Sequence, residues 1–276
     1  MTINCKGKLV DLSTPKVMGI LNLTPDSFYD GGKYKNSDSV LAQTEQMLEE
    51  GATFIDLGAY SSRPGANHVP EDEEKKRIFS ILELLLTRYP ETLFSIDTFR
   101  SGVADECLKM GAALINDISA GNLDPNMFDV VAQHQVPYIL MHLKGTPQSM
   151  QEKAVYDNVL KDLLLYFSEK IKKAQEKKIN DIIIDPGFGF AKTLEQNYHM
   201  LEHLEMFQNL KKPILIGLSR KSMIYKTLKS SAKEALNGSS VLHSVALLKG
   251  ANILRVHDVK EAMECITLIE TLKANA

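Results

Sequence analysis

Short apolar runs recur along the chain, separated by segments whose apolar residues return with helical spacing. The runs are VMGIL (17–21), TFIDLG (53–58), TLFSID (92–97), AALIND (112–117), PYILMH (137–142), DIIIDP (181–186), PILIGL (213–218) and NILRVH (252–257). Each is rich in Ile, Val, Leu or Phe and bounded by polar, Gly or Pro punctuation. Continuous rather than alternating hydrophobicity suits strands covered on both faces, so the runs predict a parallel sheet. The segments between them predict helices. Asp38 to Glu50 opens on a Ser/Asp cap and ends before Gly51, and Glu71 to Tyr89 opens with acids and closes with Arg88 ahead of Pro90. Acids at the start and a base at the end match the helix dipole. Tyr156 to Lys178 carries a stripe of Leu160, Leu163, Leu164, Phe167 and Ile171. Leu194 to Phe207, Ser239 to Lys249 and Val259 to Leu272 behave likewise. Their charged faces read as solvated surface.

A strand–helix unit repeated eight times in 276 residues predicts an α/β fold, a (β/α)8 TIM barrel, as one domain over 1–276. The first fourteen residues precede the first strand and are expected to close the bottom of the barrel. The competing layout is a doubly wound open sheet, but no GxGxxG follows the first strand and the strand count is too high.

Composition narrows the function. The chain is 44% hydrophobic, and its 32 Lys and Arg nearly balance 35 Asp and Glu, for a net charge of -3. That balance speaks against a basic nucleic-acid binder and against a surface made for anionic lipid. There is no apolar run long enough to span a membrane and no apolar leader core near the N-terminus, so a cytoplasmic protein is expected. Cys5, Cys107 and Cys265 are far apart and lack CxxC spacing, which predicts reduced thiols rather than a disulfide framework or zinc site. The 7 histidines show neither HExxH nor HxH spacing, so no histidine-built metal site is expected.

Barrels do their chemistry at the C-terminal ends of the strands. In order, those ends carry Asn22, Asp56 (with Ser62 and Arg63 just beyond), Asp97, Asn116 with Asp117, His142, Asp185, Ser219 to Lys221, and Arg255 with His257. One subset, Asp97, Asn116, Asp185 and Lys221, joins acids, an amide and an amine. Carboxylate oxygens match an N–H/NH2 edge such as an aminopyrimidine, and Lys221 can donate to a ring oxygen or nitrogen. The plainer readings are helix caps at the two Asp residues and a turn at Asn116. The second subset, Arg63, Arg255 and His257 beside Asn22, suits a phosphate or diphosphate, which guanidinium binds bidentately. Its plainer readings are a rim pair such as Arg255 with Asp258 and a turn at Asn22. The Asn22 amide oxygen could instead join phosphate oxygens around Mg2+.

Three loops stand out. After Asn22 the chain runs LTPDSFYDGG (23–32), long for a connector, with two acids and two aromatics. DPGFGFAK (185–192) reads either as a tight turn with Phe188 and Phe190 packed inward, or as backbone approaching a flat ligand with Phe190 as an aromatic wall. GLSRKS (217–222) leads into a helix whose free N–H groups could receive a carboxylate, or where Ser219 is simply the cap.

MGILNLTPDSFYDGG (18–32), SSRPGA (61–66), SIDT (95–98), INDIS (115–119), DPGFGFAK, GLSRKSMI (217–224) and LRVHDV (254–259) together resemble the dihydropteroate synthases, in order and over essentially the whole chain. The resemblance implies condensation of a dihydropterin methyl diphosphate with 4-aminobenzoate, with Mg2+ assisting, in a homodimer that takes small molecules and neither nucleic acid nor membrane. It implies that Asp97, Asn116, Asp185 and Lys221 hold the pterin in a slot lined by Ile118, Met141, Gly217 and Phe190. Asn22 would meet the metal, and Arg63, Arg255 and His257, with Ser62, the diphosphate. Ser219, Arg220, Phe190, Phe28 and Pro64 would surround the aminobenzoate. Phe28 and Asp30 would belong to a first mobile loop acting as a lid, and Ser62, Arg63 and Pro64 to a second. Tyr29, Ser62 and Ala191 stand where the family more often has Ser, Thr and Gly. The nearest rival, a pterin-binding methyltetrahydrofolate:corrinoid methyltransferase module, shares the barrel and the acid–amide contacts but has no need of two arginines for a diphosphate.

Overall fold

A computed structural model of the chain describes residues 1–23, 33–60 and 68–275, with side chains from 37 onward in the second stretch. A two-stranded antiparallel hairpin, β1 (Thr2–Cys5) and β2 (Lys8–Asp11), comes first. Then follow β3 (Lys16–Asn22), α1 (Lys33–Glu49), β4 (Phe54–Gly58), α2 (Glu71–Arg88), β5 (Leu93–Asp97), α3 (Ser101–Met110), β6 (Leu114–Asp117), α4 (Met127–His134) and β7 (Tyr138–Met141). The rest is α5 (Val159–Glu176), β8 (Ile182–Asp185), α6 (Leu194–Glu202), β9 (Leu215–Ile216), α7 (Ser222–Thr227), α8 (Leu236–Leu248), β10 (Ile253–Val256) and α9 (Val259–Ala274). Strands β3 to β10 pair in parallel, in the order β8-β7-β6-β5-β4-β3-β10-β9. A bridge between Ile184 and Ile214 brings the two edges together, so the expected eight-stranded barrel closes.

Each strand falls where its apolar run predicts; β3 extends one residue past its run at either end, and the others are shorter by a residue or two at one or both ends. Helix α1 begins before Asp38, so the expected cap lies inside the helix. Helices α3 and α4 were not separately expected, and β9 is followed by two helices, the α7 expected after GLSRKS and then α8.

The period of two along a strand sorts every barrel residue to one face. The outward residues, Val17, Ile55, Phe94, Ile115, Leu140, Ile184, Ile216 and Leu254 among them, join the helices in the main apolar layer. Inside, Met18, Phe54, Leu93, Leu114, Ile139, Ile183, Leu215 and Ile253, one from each strand, form a floor with Ile3, Cys5, Val10 and Leu12 of the hairpin. The hairpin thus plugs the bottom, as expected. It is pinned by a bond of 3.1 Å from Asn252 Nδ2 to the Leu12 carbonyl. Burying such a side chain contributes about 1.5–3 kcal/mol, so the floor fixes the strand register on which everything above it depends. Cys5, Cys107 and Cys265 are buried free thiols that pack as small apolar groups.

Two residues beyond the floor on each strand comes a second inward level: Ile20, Asp56, Ser95, Asn116, Met141, Asp185, Gly217 and Arg255. Two residues further, the inward parity reaches Asn22, Gly58, Asp97, Ile118, Leu143, Gly187, Ser219 and His257. The interior changes from wholly apolar to mostly polar in two steps, and the polar end is the C-terminal mouth.

Candidate active site at the barrel mouth

Strand pairing sets Asn22, Gly58, Asp97 and Asn116 on one rung across four adjacent strands. Gly58 makes this possible, because a Cβ there would stand 3.3 Å from Asp97 Cβ and 3.4 Å from its Oδ2. Without a side chain at Gly58, the Asp97 carboxylate has room to turn into the mouth.

Arg255, inward on β10, lies between two acids. Its Nε donates to Asp56 Oδ2 at 2.6 Å and its Nη2 to Asp97 Oδ2 at 2.6 Å. Asn116 Nδ2 donates to the same Asp56 oxygen at 2.8 Å. Asp56 is fully buried, and neither its Oδ1 nor the Ser95 hydroxyl has a hydrogen-bond partner among the described residues. Burial pushes Asp97 up to about 7, against the downward pull of Arg255. Burial alone would lower Arg255, but the Asp56 and Asp97 carboxylates outweigh it and hold the guanidinium charged beyond its ordinary range.

Asp185 ends β8. Burial raises its pKa, opposed by Lys221 and by a 2.8 Å hydrogen bond from the Gly187 N–H. Lys221 is pushed down to about 8 by burial, with Asp185 working the other way. Its Nζ donates to the Phe188 carbonyl at 2.5 Å and stands 4.7 Å from the centre of the Phe190 ring. In the glycine-rich stretch Phe188 is wholly buried in the barrel–helix layer, while Phe190 packs at the mouth against the cluster of Ile118, Met141 and Ala191. Gly187 has φ +73, and a Cβ there would meet the His142 carbonyl at 2.4 Å, so this turn requires glycine.

Ser219 is buried and its hydroxyl sits 3.1 Å from His257 Nδ1, while accepting the His257 N–H at 3.2 Å. It caps no helix; the residue before α7 is Lys221, with no side-chain cap bond. Arg220 departs from expectation. Its guanidinium is spent on Asp258, at 2.8 Å through both Nε and Nη2, and on the carbonyls of Ala232 and Lys233. The plainer alternative for Arg255, a rim pair with Asp258, does not form: Asp258 pairs with Arg220, and Arg255 with Asp56 and Asp97. Arg220 has φ +54, a left-handed conformation that costs a non-glycine residue about 1–3 kcal/mol. The latch to Asp258 holds that turn, and with it the inward aim of Ser219 and Lys221.

Of the residues singled out in the sequence, Asp97, Asn116, Asp185, Lys221, Ile118, Met141, Gly217, Phe190, Ser219, Arg255 and His257 converge on the mouth, with Asn22 on its rim. Phe28, Asp30, Ser62, Arg63 and Pro64 lie outside the described residues. Sequence reasoning gave no role to Asp56, whose inward parity could have found it. It also missed Lys192, which is buried beneath the glycine-rich loop. Lys192 donates to the Gly187 and Phe190 carbonyls at 3.0 and 2.9 Å and lies 3.1 Å from His142 Nδ1. A lone Lys after a Gly-rich turn carries no signal that it will be buried.

A family model described as "Pterin binding enzyme" matches residues 18–257. The dihydropteroate synthase of Escherichia coli (strain K12) is 41% identical over 277 aligned residues, covering 99% of this chain and 98% of that protein. The chain belongs to the dihydropteroate synthase family. Among solved structures, a Yersinia pestis dihydropteroate synthase with a sulfonamide drug complex superposes with a TM-score of 0.92 at 40% identity, covering 99% of this chain and all of that one. The 7,8-dihydropteroate synthase from Vibrio fischeri ES114 gives 0.88 at 42% identity, with 100% and 99% covered. The agreement spans barrel and hairpin alike, so this dihydropteroate synthase barrel includes the plugged floor as well as the polar mouth.

Proposed function

We propose that the mouth binds a dihydropterin methyl diphosphate and joins its CH2 carbon to the amine of 4-aminobenzoate, giving dihydropteroate and pyrophosphate. The observation that carries this is the set of acceptors at the mouth. Among the described residues the Asp97 and Asp185 carboxylates stand there with the Asn116 amide, beside the charged groups of Arg255 and Lys221. Buried acceptors want donors, and an aminopyrimidine edge supplies several in one plane. A corrinoid-type methyl transfer would need the same ring contacts, but gives no reason to set Arg255 and His257 beside them.

In this reading Asp97, Asn116, Asp185 and Lys221 hold the ring, with Phe190, Met141 and Ile118 excluding water from its faces. Arg255 and His257, with Arg63 and Ser62, meet the diphosphate; Ser219, Phe190, Phe28 and Pro64 surround the aminobenzoate, and Asp30 belongs to the first loop. Among the described residues no three His, Cys, Asp or Glu side chains gather as a metal cage. A single hard amide oxygen at the end of β3, Asn22, fits Mg2+ that keeps its waters and shares phosphate oxygens. When bound there, the ion would neutralise charge on the leaving diphosphate. The chain's own donors do the rest: as the C–O bond breaks, the electron pair leaves with pyrophosphate, toward the Arg255 guanidinium and the His257 imidazole. The arylamine nitrogen forms the C–N bond and releases its extra proton to solvent. The amine is neutral at pH 7, so no strong general base is needed.

The same reading takes 1–276 as one domain and the chain as a cytoplasmic homodimer. Among the described residues no helix is long and apolar enough to cross a membrane. Exposed Val241 and Leu248 on α8 and Leu268 and Leu272 on α9 favour a second copy of the chain as their cover. The test of the ring assignment is Asp185→Asn, assayed by calorimetric binding of a pterin fragment. A loss of about 2 kcal/mol is expected for removing a charged hydrogen-bond partner; undiminished affinity would take Asp185 out of the site.

A further inference from the structure

We infer that Asp56 is a positioning residue, which fixes which end of the Asn116 amide faces the ligand and locks that amide to the guanidinium of Arg255. The inference rests on the reading above, in which Asn116 holds the pterin and Arg255 the diphosphate.

Asp56 stands on the second inward level, fully buried and bonded directly to Asn116 and Arg255. A single oxygen, Oδ2, accepts from Asn116 Nδ2 at 2.8 Å and from Arg255 Nε at 2.6 Å. An ionised carboxylate can only accept. The reversed Asn116 amide would press two oxygens together in a buried site, so the NH2 is committed to Asp56. What remains for the ligand is Asn116 Oδ1, a pure acceptor, and the ring atom it meets must carry a proton. Arg255 is fixed in the same way, with Nε tied to Asp56 and one terminal nitrogen to Asp97. Since both anchors hang on one buried oxygen, the ring contact and the anion contact share a single rigid support.

The experiment is a double-mutant cycle read by calorimetry with two separate probes, 6-hydroxymethylpterin and inorganic pyrophosphate. Asn116→Ala comes first and tests the underlying reading: an unchanged pterin affinity would sink the assignment of Asn116 whatever Asp56 does. If Asn116→Ala weakens the pterin, Asp56→Leu, which keeps the shape and removes both acceptors, is expected to weaken pterin and pyrophosphate by about tenfold each. Asn116→Ala added to Asp56→Leu should then cost the pterin less than about twofold, because the amide is no longer aimed. Losses that simply multiply would overturn the inference, since general weakening of the fold predicts independence. Asp56→Asn, which keeps an acceptor, should recover most of the pterin affinity, and failure to do so also counts against it. Should Asp56→Leu not fold, the wild-type protein decides. The Asn116 side-chain NH2 resonances, identified by their loss in Asn116→Ala, should stay on their hydrogen-bonded positions when the pterin is added. A shift to a freely rotating or ligand-bound amide would contradict the inference.

Discussion

Removing the cation at the centre of the mouth should cost stability in a way that depends on pH. In Arg255→Met, the Asp56 and Asp97 carboxylates lose a partner that both hold at 2.6 Å. Each pair is worth about 6 kcal/mol of gross attraction at an effective dielectric of about 20, largely offset by desolvation. Deleting one member of such a buried pair costs a net of about 3–5 kcal/mol. Against a total stability of about 5–15 kcal/mol the variant should fold, marginally. The sign of the pH dependence follows from Asp97. Its folded pKa of about 7 lies above the ordinary 3.8, so its contribution to stability is present at low pH and is lost as pH rises through that window. Arg255 pulls that value down; without it the window extends upward. The gap between wild type and variant should therefore widen as pH rises above about 7, where wild-type Asp97 has already ionised and that of the variant still resists. Urea melts at several pH values measure it, with a midpoint drop of about 1–2 M expected at the upper end and little change in slope. A gap that stays constant with pH would refute the claim that Arg255 neutralises these carboxylates.

Other outcomes follow from the same contacts. Leu114→Ala, in the barrel floor, should destabilise by about 2–5 kcal/mol with pterin binding kept in the folded fraction, measured by denaturant melts beside calorimetry. Arg220→Met should lower stability by about 1–3 kcal/mol through loss of the Asp258 latch. Its effect on catalysis should appear for both substrates, because Ser219 and Lys221 lose their aim together; a selective rise in KM for aminobenzoate would instead put the guanidinium on that carboxylate. The pterin-diphosphate kcat/KM should fall as pH rises through about 8, where Lys221 loses its proton, and Lys221→Arg should move that limb to higher pH.

The barrel was legible because its strands are covered on both faces, which leaves continuous apolar runs that only a parallel sheet explains. Short α3 and α4 were not, since a helix of two to three turns shows too little of the 3.6-residue period to separate from a connector. The polar mouth was legible one strand end at a time, and strand parity carries more than the reading drew from it. Asp97, Asn116, Asp185, Arg255 and His257 all share the inward parity of the floor. Among the described residues, Arg220 has the opposite parity and turns its guanidinium to Asp258. Asp56 also sits inward, on the level of Asn116 and Arg255, and its contacts with them emerge only when three strands are brought together. Pairings such as Arg255 with Asp56, 199 residues apart, depend on barrel closure and leave no local trace.

The central claim is tested most directly by pyrophosphate release from dihydropterin methyl diphosphate with Mg2+, measured with and without 4-aminobenzoate. The account predicts release that depends on aminobenzoate and matches the dihydropteroate formed. Tight pterin binding with no aminobenzoate-dependent release would contradict it, and would leave a barrel that holds the ring without performing the condensation.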